Sequence, residues 1–323
     1  MSQDPLSDIV KSMNLTGAVF LNAQFSAPWA ITAHVTEEDC LPFMPIPQQV
    51  IAYHVVVEGE LILSLYDEAG DKVHHHAKAG DVIFLPDNAL HELASSIGLE
   101  PVSGDDLLLP VADDGLVQIK YGGGGEPTRV LCGFMASNSG SNPLLDSLPE
   151  MLIIGIDSLE TRRWIEASIV MAAREFSLGR THGGGMVPGL CQLLLTEALR
   201  AHIEQNPKPD GWLGGMAHPR IARALSKIHN SLDDPPSVEN LAAEVGMSRS
   251  AFVDRFTEVM GVGPRRYVLN QRMELAQWLL QDDRSSIAEI AGRVGYDATE
   301  AFSRAFKRET GRSPADWRRC VDH

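Results

Sequence analysis

The last third of the chain contains a unit that occurs twice. "LAAEVGM" from Leu241 aligns with "IAGRVGY" from Ile290, which sets Gly246 over Gly295 at an offset of 49. Past the glycine the offset becomes 50. Phe252, Phe256, Gly261, Pro264 and Tyr267 then fall on Phe302, Phe306, Gly311, Pro314 and Trp317, so the second copy carries one extra residue just after its turn. A repeated pair of apolar-periodic stretches broken by a glycine restricts the region to two copies of one supersecondary unit. Each copy reads as short helix, glycine turn and second helix, the order of a helix-turn-helix. Ser286 with Glu289 forms a capping box for the first helix of copy two, and Ser237 caps that of copy one. Ser248 and Asp297 follow the turns and are expected to cap the second helices.

Helical geometry assigns the faces. At about 100° per residue, Phe302 and Phe306 define the buried side, and Glu300, Arg304 and Lys307 lie opposite, with Thr299 and Ser303 beside them. In copy one the same construction turns Ser250, Asp254 and Thr257 outward, with Ser248 and Arg249 at the helix start. Such a face offers arginine to guanine and glutamate to cytosine, while Arg265, Arg266, Arg308 and Arg312 lie near helix ends, where phosphates are met. The plain alternative is a solvated face of a helical bundle. Matching caps and a shared closing Gly-x-x-Pro weigh against it.

The chain has 27 Lys+Arg against 43 Asp+Glu, a net charge of −16, which at first sight argues against a polyanionic partner. The distribution removes the objection. Residues 218–323 hold 16 of the basic and 15 of the acidic residues, so the acidity belongs to the first two thirds. Contact with phosphate depends on the local arrangement of cations.

Residues 218–319 resemble the DNA-binding domain of the AraC/XylS family of bacterial transcription regulators. The resemblance is carried by "SVENLAAEVGMSRSAFVDRF", "RMELAQWLL" and "SIAEIAGRVGYDATEAFSRAFKRETGRSPADWRR". It implies two helix-turn-helix units joined by a long helix, about Pro264 to Gln281, that enter neighbouring major-groove segments on one face of the duplex. The residues then expected to face DNA are Ser248, Arg249, Ser250, Asp254, Arg265, Thr299, Glu300, Ser303, Arg304 and Lys307.

Residues 15 to about 135 have another character. Short apolar runs such as "AYHVVVEGELILSLY" and "DVIFLP" alternate with turn signals "EAGD", "KAGD" and "PDNA", the spacing of a sandwich or barrel. The glycine run Gly122 to Gly125 lacks the lysine and helix start of a phosphate loop and is read as a flexible hairpin connection. After "SNPLLDSLPEML" the period becomes helical in "LETRRWIEASIVMAAREFSLG" and "MVPGLCQLLLTEALRAHIEQN", with Leu190, Leu193, Leu194 and Ala198 on one stripe. The polar "NPKPDGWLGG", Asn206 to Gly215, is the linker candidate.

"YHVVVEGELILSLYDEAGDKVHHHAKAGDVIFLPDNALHEL" resembles the cupin-type sensor domain that precedes many such regulators, and "GDVIFLPDNALH" matches the second cupin motif. The first motif is degenerate, with no HxH pair and Ala52 where its glutamate would align, which argues against a catalytic cupin. "VLCGFMASNSGSNPLLDSLPEML" is similar to a subgroup that includes reactive-chlorine-responsive regulators. His54 shares a strand face with Val56 and Glu58, His91 is expected near a barrel mouth, and Cys132 lies on a later strand. Two imidazoles and a thiolate would suit zinc or a similar divalent metal. They would equally be hydrogen-bonded groups lining a pocket for an organic effector, or plain core. The apolar setting "VLCGF" favours a buried structural thiol over an oxidant sensor. His74, His75 and His76 follow a turn and read as a solvated strand.

Four cysteines far apart indicate no disulfide framework, and no run of about 18 apolar residues or basic-then-apolar start suggests secretion or a membrane span. The expectation is a cytoplasmic α+β regulator of 323 residues in three parts. A cupin-like barrel spans 1–150, a helical linker carrying the dimer interface spans 151–217, and an all-α double helix-turn-helix spans 218–323. Its expected partners are an operator in double-stranded DNA, a small-molecule or redox effector, RNA polymerase, and a second copy in a homodimer. Whether transcription rises or falls is left open. The competing class is a metal-dependent cupin enzyme with a helical appendage.

Overall fold

The computed structural model describes residues 5–13, 15–41, 47, 49–67, 69–113, 115–137, 144–156, 163–171, 186–206, 211–282 and 285–319. Two compact units emerge, each discontinuous in sequence. One comprises Leu15–Ser137 with Leu148–His202, and the other Met1–Asn14, Asn138–Ser147 and Ile203–His323.

The first unit is β-rich. Its strands are β1 (Thr16–Ser26), β2 (Ala30–Ala33), β3 (Gln49–Glu58), β4 (Glu60–Tyr66), β5 (Lys72–Lys78), β6 (Asp81–Leu85), β7 (His91–Ala94), β8 (Val102–Ser103), β9 (Val117–Gly122), β10 (Pro127–Ser137) and β11 (Leu152–Gly155). They form a six-stranded sheet in the order β11-β6-β3-β10-β1-β9 and a five-stranded sheet in the order β5-β4-β7-β2-β8. Period-two alternation supplies one core to both. Leu21, Ala23 and Phe25 of β1, Ala52 and Val56 of β3, and Val130, Cys132 and Phe134 of β10 cluster with Leu61, Leu63 and Leu65 of β4 and Leu93 of β7. Phe25 and Trp29 stack within it at 4.0 Å between centroids.

The glycine run departs from expectation. β9 and β10 do not pair with each other, because both flank β1, β9 in parallel and β10 antiparallel. The connection therefore passes over the end of β1 and is anchored there. Gly123 N–H donates to Ser26 O (2.8 Å), Gly124 N–H to Ser26 Oγ (2.9 Å) and Gly125 N–H to Ala27 O (2.8 Å). It is neither a hairpin nor loose. The three-histidine run is half of an edge strand: His74 Nδ1 meets Ser64 Oγ at 2.8 Å and His76 is exposed.

The helices of this unit are α2 (Glu37–Cys40), α3 (163–171) and most of α4 (Met186–Gln205). Leu190, Leu194 and Ala198 of α4 are buried as their spacing requires, whereas Leu193 is 37% exposed and leaves the expected stripe.

The second unit is helical. It contains α1 (Pro5–Ser12), α5 (Gly211–Ala217), α6 (Pro219–Asn230), α7 (Val238–Glu244), α8 (Arg249–Met260), α9 (Pro264–Asp282), α10 (Ile287–Arg293), α11 (Thr299–Thr310) and α12 (Pro314–Arg319). α1 packs on α6: Leu6, Ile9 and Val10 are buried, and Asp8 Oδ2 accepts from Ser226 Oγ (2.5 Å) and Asn230 Nδ2 (3.1 Å). The first helix of the chain thus packs in the unit that ends it. Of the stretch read as a linker, 207–210 lie outside the described residues and Gly211–Gly215 are helical.

The sequence repeat is a structural repeat. α7, turn and α8 correspond to α10, turn and α11, with Phe252, Phe256, Phe302 and Phe306 all fully buried. Both turns close with the same bond, from Met247 N–H to Ala242 O and from Tyr296 N–H to Ala291 O, each 2.9 Å. That closure places Gly246 at φ 67° and Gly295 at φ 77°, in the left-handed region where glycine is unstrained. Ser237, Ser248 and Ser286 cap as expected, the last in a full capping box with Glu289. Asp297 does not. The extra residue of copy two moves the cap position to Ala298, and α11 starts without a side-chain cap.

Candidate functional site

In the helical unit, burial of Phe302 and Phe306 turns Glu300, Arg304 and Lys307 of α11 to the exposed face, with Thr299 and Ser303 half-buried at their flank. In α8 the same anchoring exposes Ser250 and Asp254. Ser248 and Arg249 are also exposed but already engaged. Ser248 Oγ accepts the amide of Ala251 (3.3 Å), and Arg249 Nε is 2.6 Å from Glu239 Oε1. Both partners of that ion pair are more than half exposed, so solvent screens it and it opens readily. The two copies therefore differ in chemistry: α11 presents an arginine, a lysine and a glutamate, and α8 presents hydroxyls, Asp254 and an arginine, Arg249, paired with Glu239.

Arg265 is exposed at the start of α9. Its neighbour Arg266 reaches Glu309 of α11 at 2.8 Å, and Arg308 Nε meets the same carboxylate at 2.9 Å. Hydrogen bonds from Arg308 and then Arg266 hold the Glu309 carboxyl below its ordinary range. Glu309 thus orders two cations from two copies of the repeat. Its position inside "KRET" gave no sign of this, because the bond to Arg266 spans the long helix.

In the β-unit His54, Cys132 and His91 come together. Register explains the first pair, since His54 of β3 lies directly opposite Cys132 of β10. His54 Nδ1 is 3.0 Å from Cys132 Sγ, and His54 Nε2 is 2.7 Å from His91 Nε2. His91, the first residue of β7, turns its Nδ1 back to the carbonyl of Ala89 at 2.8 Å. That carbonyl is only an acceptor, so it sets every proton in the chain. His91 Nδ1–H donates to Ala89, leaving His91 Nε2 to accept from His54 Nε2–H, and His54 Nδ1 to accept the Cys132 S–H. The relay is satisfied throughout with all three side chains neutral.

Burial enforces that neutrality. His54, His91 and Cys132 are 4%, 1% and 6% exposed. Desolvation, then the neighbouring His91, push His54 well below the usual imidazole range. Desolvation takes His91 to about 4, opposed in part by the Ala89 carbonyl, and raises the Cys132 thiol to about 12. Such a thiol is protonated and poorly nucleophilic at neutral pH.

The trio lines a cavity of about 90 Å³ walled by Leu21, Ala23, Phe25, Ile31, Leu93 and Ile119. One water needs roughly 10–15 Å³ by the same measure, so the space admits a molecule of several heavy atoms. Among the described residues, Asp39, Asp105 and His34 are the remaining ionisable groups of its lining.

The trio does not fit a shared divalent metal as arranged. Tetrahedral zinc holds two imidazole nitrogens about 3.3 Å apart, wider than the 2.7 Å found, and Cys132 sits on the opposite, Nδ1 edge of His54. Among the described residues no group of three or more His, Cys, Asp or Glu is placed to hold a metal ion. Nor is any helix among them long and apolar enough to cross a membrane.

Comparison with known proteins agrees with both halves. A cupin family model matches residues 4–204, and a helix-turn-helix domain model matches residues 241–320. The transcriptional regulator AlkR of Acinetobacter baylyi is 26% identical over 329 aligned residues, covering 98% of this chain and 99% of its own. A transcriptional activator of Escherichia coli K12, RclR, described as specific for RCS, is 24% identical and covers 84% and 85% of the two chains. Among solved structures, the DNA-binding domain of the transcription factor AdpA in complex with a target DNA is 35% identical, covers 31% of this chain and 89% of its own, and gives a TM-score of 0.30.

Proposed function

Since the chain belongs to the cupin family and is an AraC-type DNA-binding transcription regulator, not an enzyme, we propose that the cavity holding His54, His91 and Cys132 is where it reads its signal. The supporting observation is the closed hydrogen-bond chain of these three residues at the wall of an apolar cavity. Burial that raises the Cys132 thiol to about 12 leaves it a poor nucleophile, which suits binding better than catalysis. A small-molecule effector suits the site better than a metal.

The readout lies in the helical unit. In this reading Arg304 and Glu300 contact base edges, Ser248, Arg249, Ser250, Asp254, Thr299 and Ser303 line the two groove segments, and Arg265 and Lys307 meet phosphates. Residues 1–150 sense, 151–217 couple and carry a homodimer interface, and 218–323 bind the operator and engage RNA polymerase in the cytoplasm. Control requires the effector to bind one of two arrangements of the coupled parts more tightly than the other.

Selection of duplexes from a random pool with the full chain tests the reading. Enriched operators should bind at least about 10³-fold tighter than scrambled sequence at physiological salt. Equal affinity for both would overturn it.

A further inference from the structure

The chemistry of the cavity says which class of molecule it accepts. Its walls are aliphatic and aromatic side chains from both sheets, with Leu21, Ala23, Phe25, Ile31, Leu93 and Ile119 among them. Among the described residues neither lysine nor arginine lines it. The groups able to become cations deep inside, His54 and His91, have both ring nitrogens committed to Cys132, to each other and to the Ala89 carbonyl. Protonating either would put two donors against each other or leave a buried charge without a counter-ion.

The remaining described lining holds two carboxylates and one imidazole, His34. Asp39 and Asp105 both border the cavity, and Asp105 is pushed upward by its own burial and then by Asp39, Asp106 and Glu38, against the pull of His34. An anion entering here would pass the Asp39 and Asp105 carboxylates, with His34, already drawn to Asp105, as the one outer group among the described lining able to oppose them. A cation would be drawn to the acidic lining but lose its water against hydrocarbon farther in. A molecule without charge meets neither penalty and gains by burying apolar surface.

We propose that the cavity binds an uncharged, predominantly apolar small molecule and discriminates against carboxylates of the same skeleton. The proposal rests on the reading of this cavity as the effector site, and names the ligand class that reading leaves open.

Toluene and benzoate, which share a ring and differ in charge, are the probes. Each is titrated into the full-length protein at pH 7.5 while the imidazole nitrogen signals of His54 and His91 are followed by NMR. Toluene should bind saturably and shift both imidazoles, with benzoate at least tenfold weaker. Ala52→Leu, which adds bulk at the cavity wall, should weaken toluene at least tenfold. Because that variant alters the core, the imidazole shifts in the unmodified protein locate the site independently. Benzoate binding as tightly as toluene, or toluene leaving both imidazoles unshifted, would overturn the proposal. Operator affinity measured with and without toluene separates the two readings. Toluene bound at the imidazoles with operator affinity unchanged would uphold the ligand class and sink the assignment of the cavity as the control site.

Discussion

His54 and His91 face each other nitrogen to nitrogen, Nε2 to Nε2 at 2.7 Å, so one must carry the proton the other lacks. The Ala89 carbonyl on the far nitrogen of His91 decides which. Imidazole nitrogen NMR should therefore find His91 as the Nδ1–H tautomer and His54 as the Nε2–H tautomer. Both tautomers reversed would mean the relay runs the other way.

The same burial makes a pH prediction. The folded pKa of His91, about 4, lies below the ordinary 6.5, so the unfolded chain binds more protons between these values. Stability is then complete above pH 6.5 and falls as pH drops toward 4, by up to on the order of 3 kcal/mol from this residue. His229, taken to about 4 by burial beneath Tyr267, acts in the same window in the helical unit. His91 signals that titrate near pH 6.5 in the native protein would contradict the account.

Cys132 supplies the S–H that His54 Nδ1 accepts. Cys132→Ala removes the donor and leaves a buried acceptor unsatisfied, a loss of about 1–3 kcal/mol in denaturant unfolding. Cys132→Ser keeps a donor and should lose less. With its thiol raised to about 12, Cys132 should alkylate with iodoacetamide far more slowly in the native protein than after unfolding.

The turn glycines are alike in backbone and different in surroundings. Gly246 has open space where a Cβ would go, so Gly246→Ala should cost only the left-handed penalty of about 1–2 kcal/mol. At Gly295 a Cβ would run into the Asp233 carbonyl and the Arg272 guanidinium, which itself bonds Leu232 O and Asp233 O at 2.9 Å. Gly295→Ala should be clearly the more destabilising in denaturant unfolding. Equal losses would show that this packing contributes nothing.

The helical unit was more legible than the β-unit, for a physical reason. Caps, turn glycines and the Phe252/Phe256 and Phe302/Phe306 anchors are local, so spacing alone carries them. Two local readings failed: Asp297 as a cap, because of the same extra residue that broke the offset between the repeats, and the linker over Gly211–Gly215, which is helical. In the β-unit, alternation placed His54 inward and motif similarity singled out His91. Their meeting with Cys132 depends on which strands become neighbours, as does the position of β1 between β9 and β10. Nothing in the chain near Ala89, Asp39 or Asp105 marks them as the proton-setting carbonyl or the acidic lining, since each acquires its role only by tertiary approach.

The measurement closest to the central claim is operator binding by the full chain with Arg304→Ala. Arg304 is exposed on the face of α11 opposite Phe302 and Phe306, outside the core, so the fold should survive its loss. Affinity should fall by on the order of 1–3 kcal/mol, roughly 5- to 150-fold, with preference relaxed at one base position. Unchanged affinity and unchanged base preference would contradict the assignment of α11 as a reading helix.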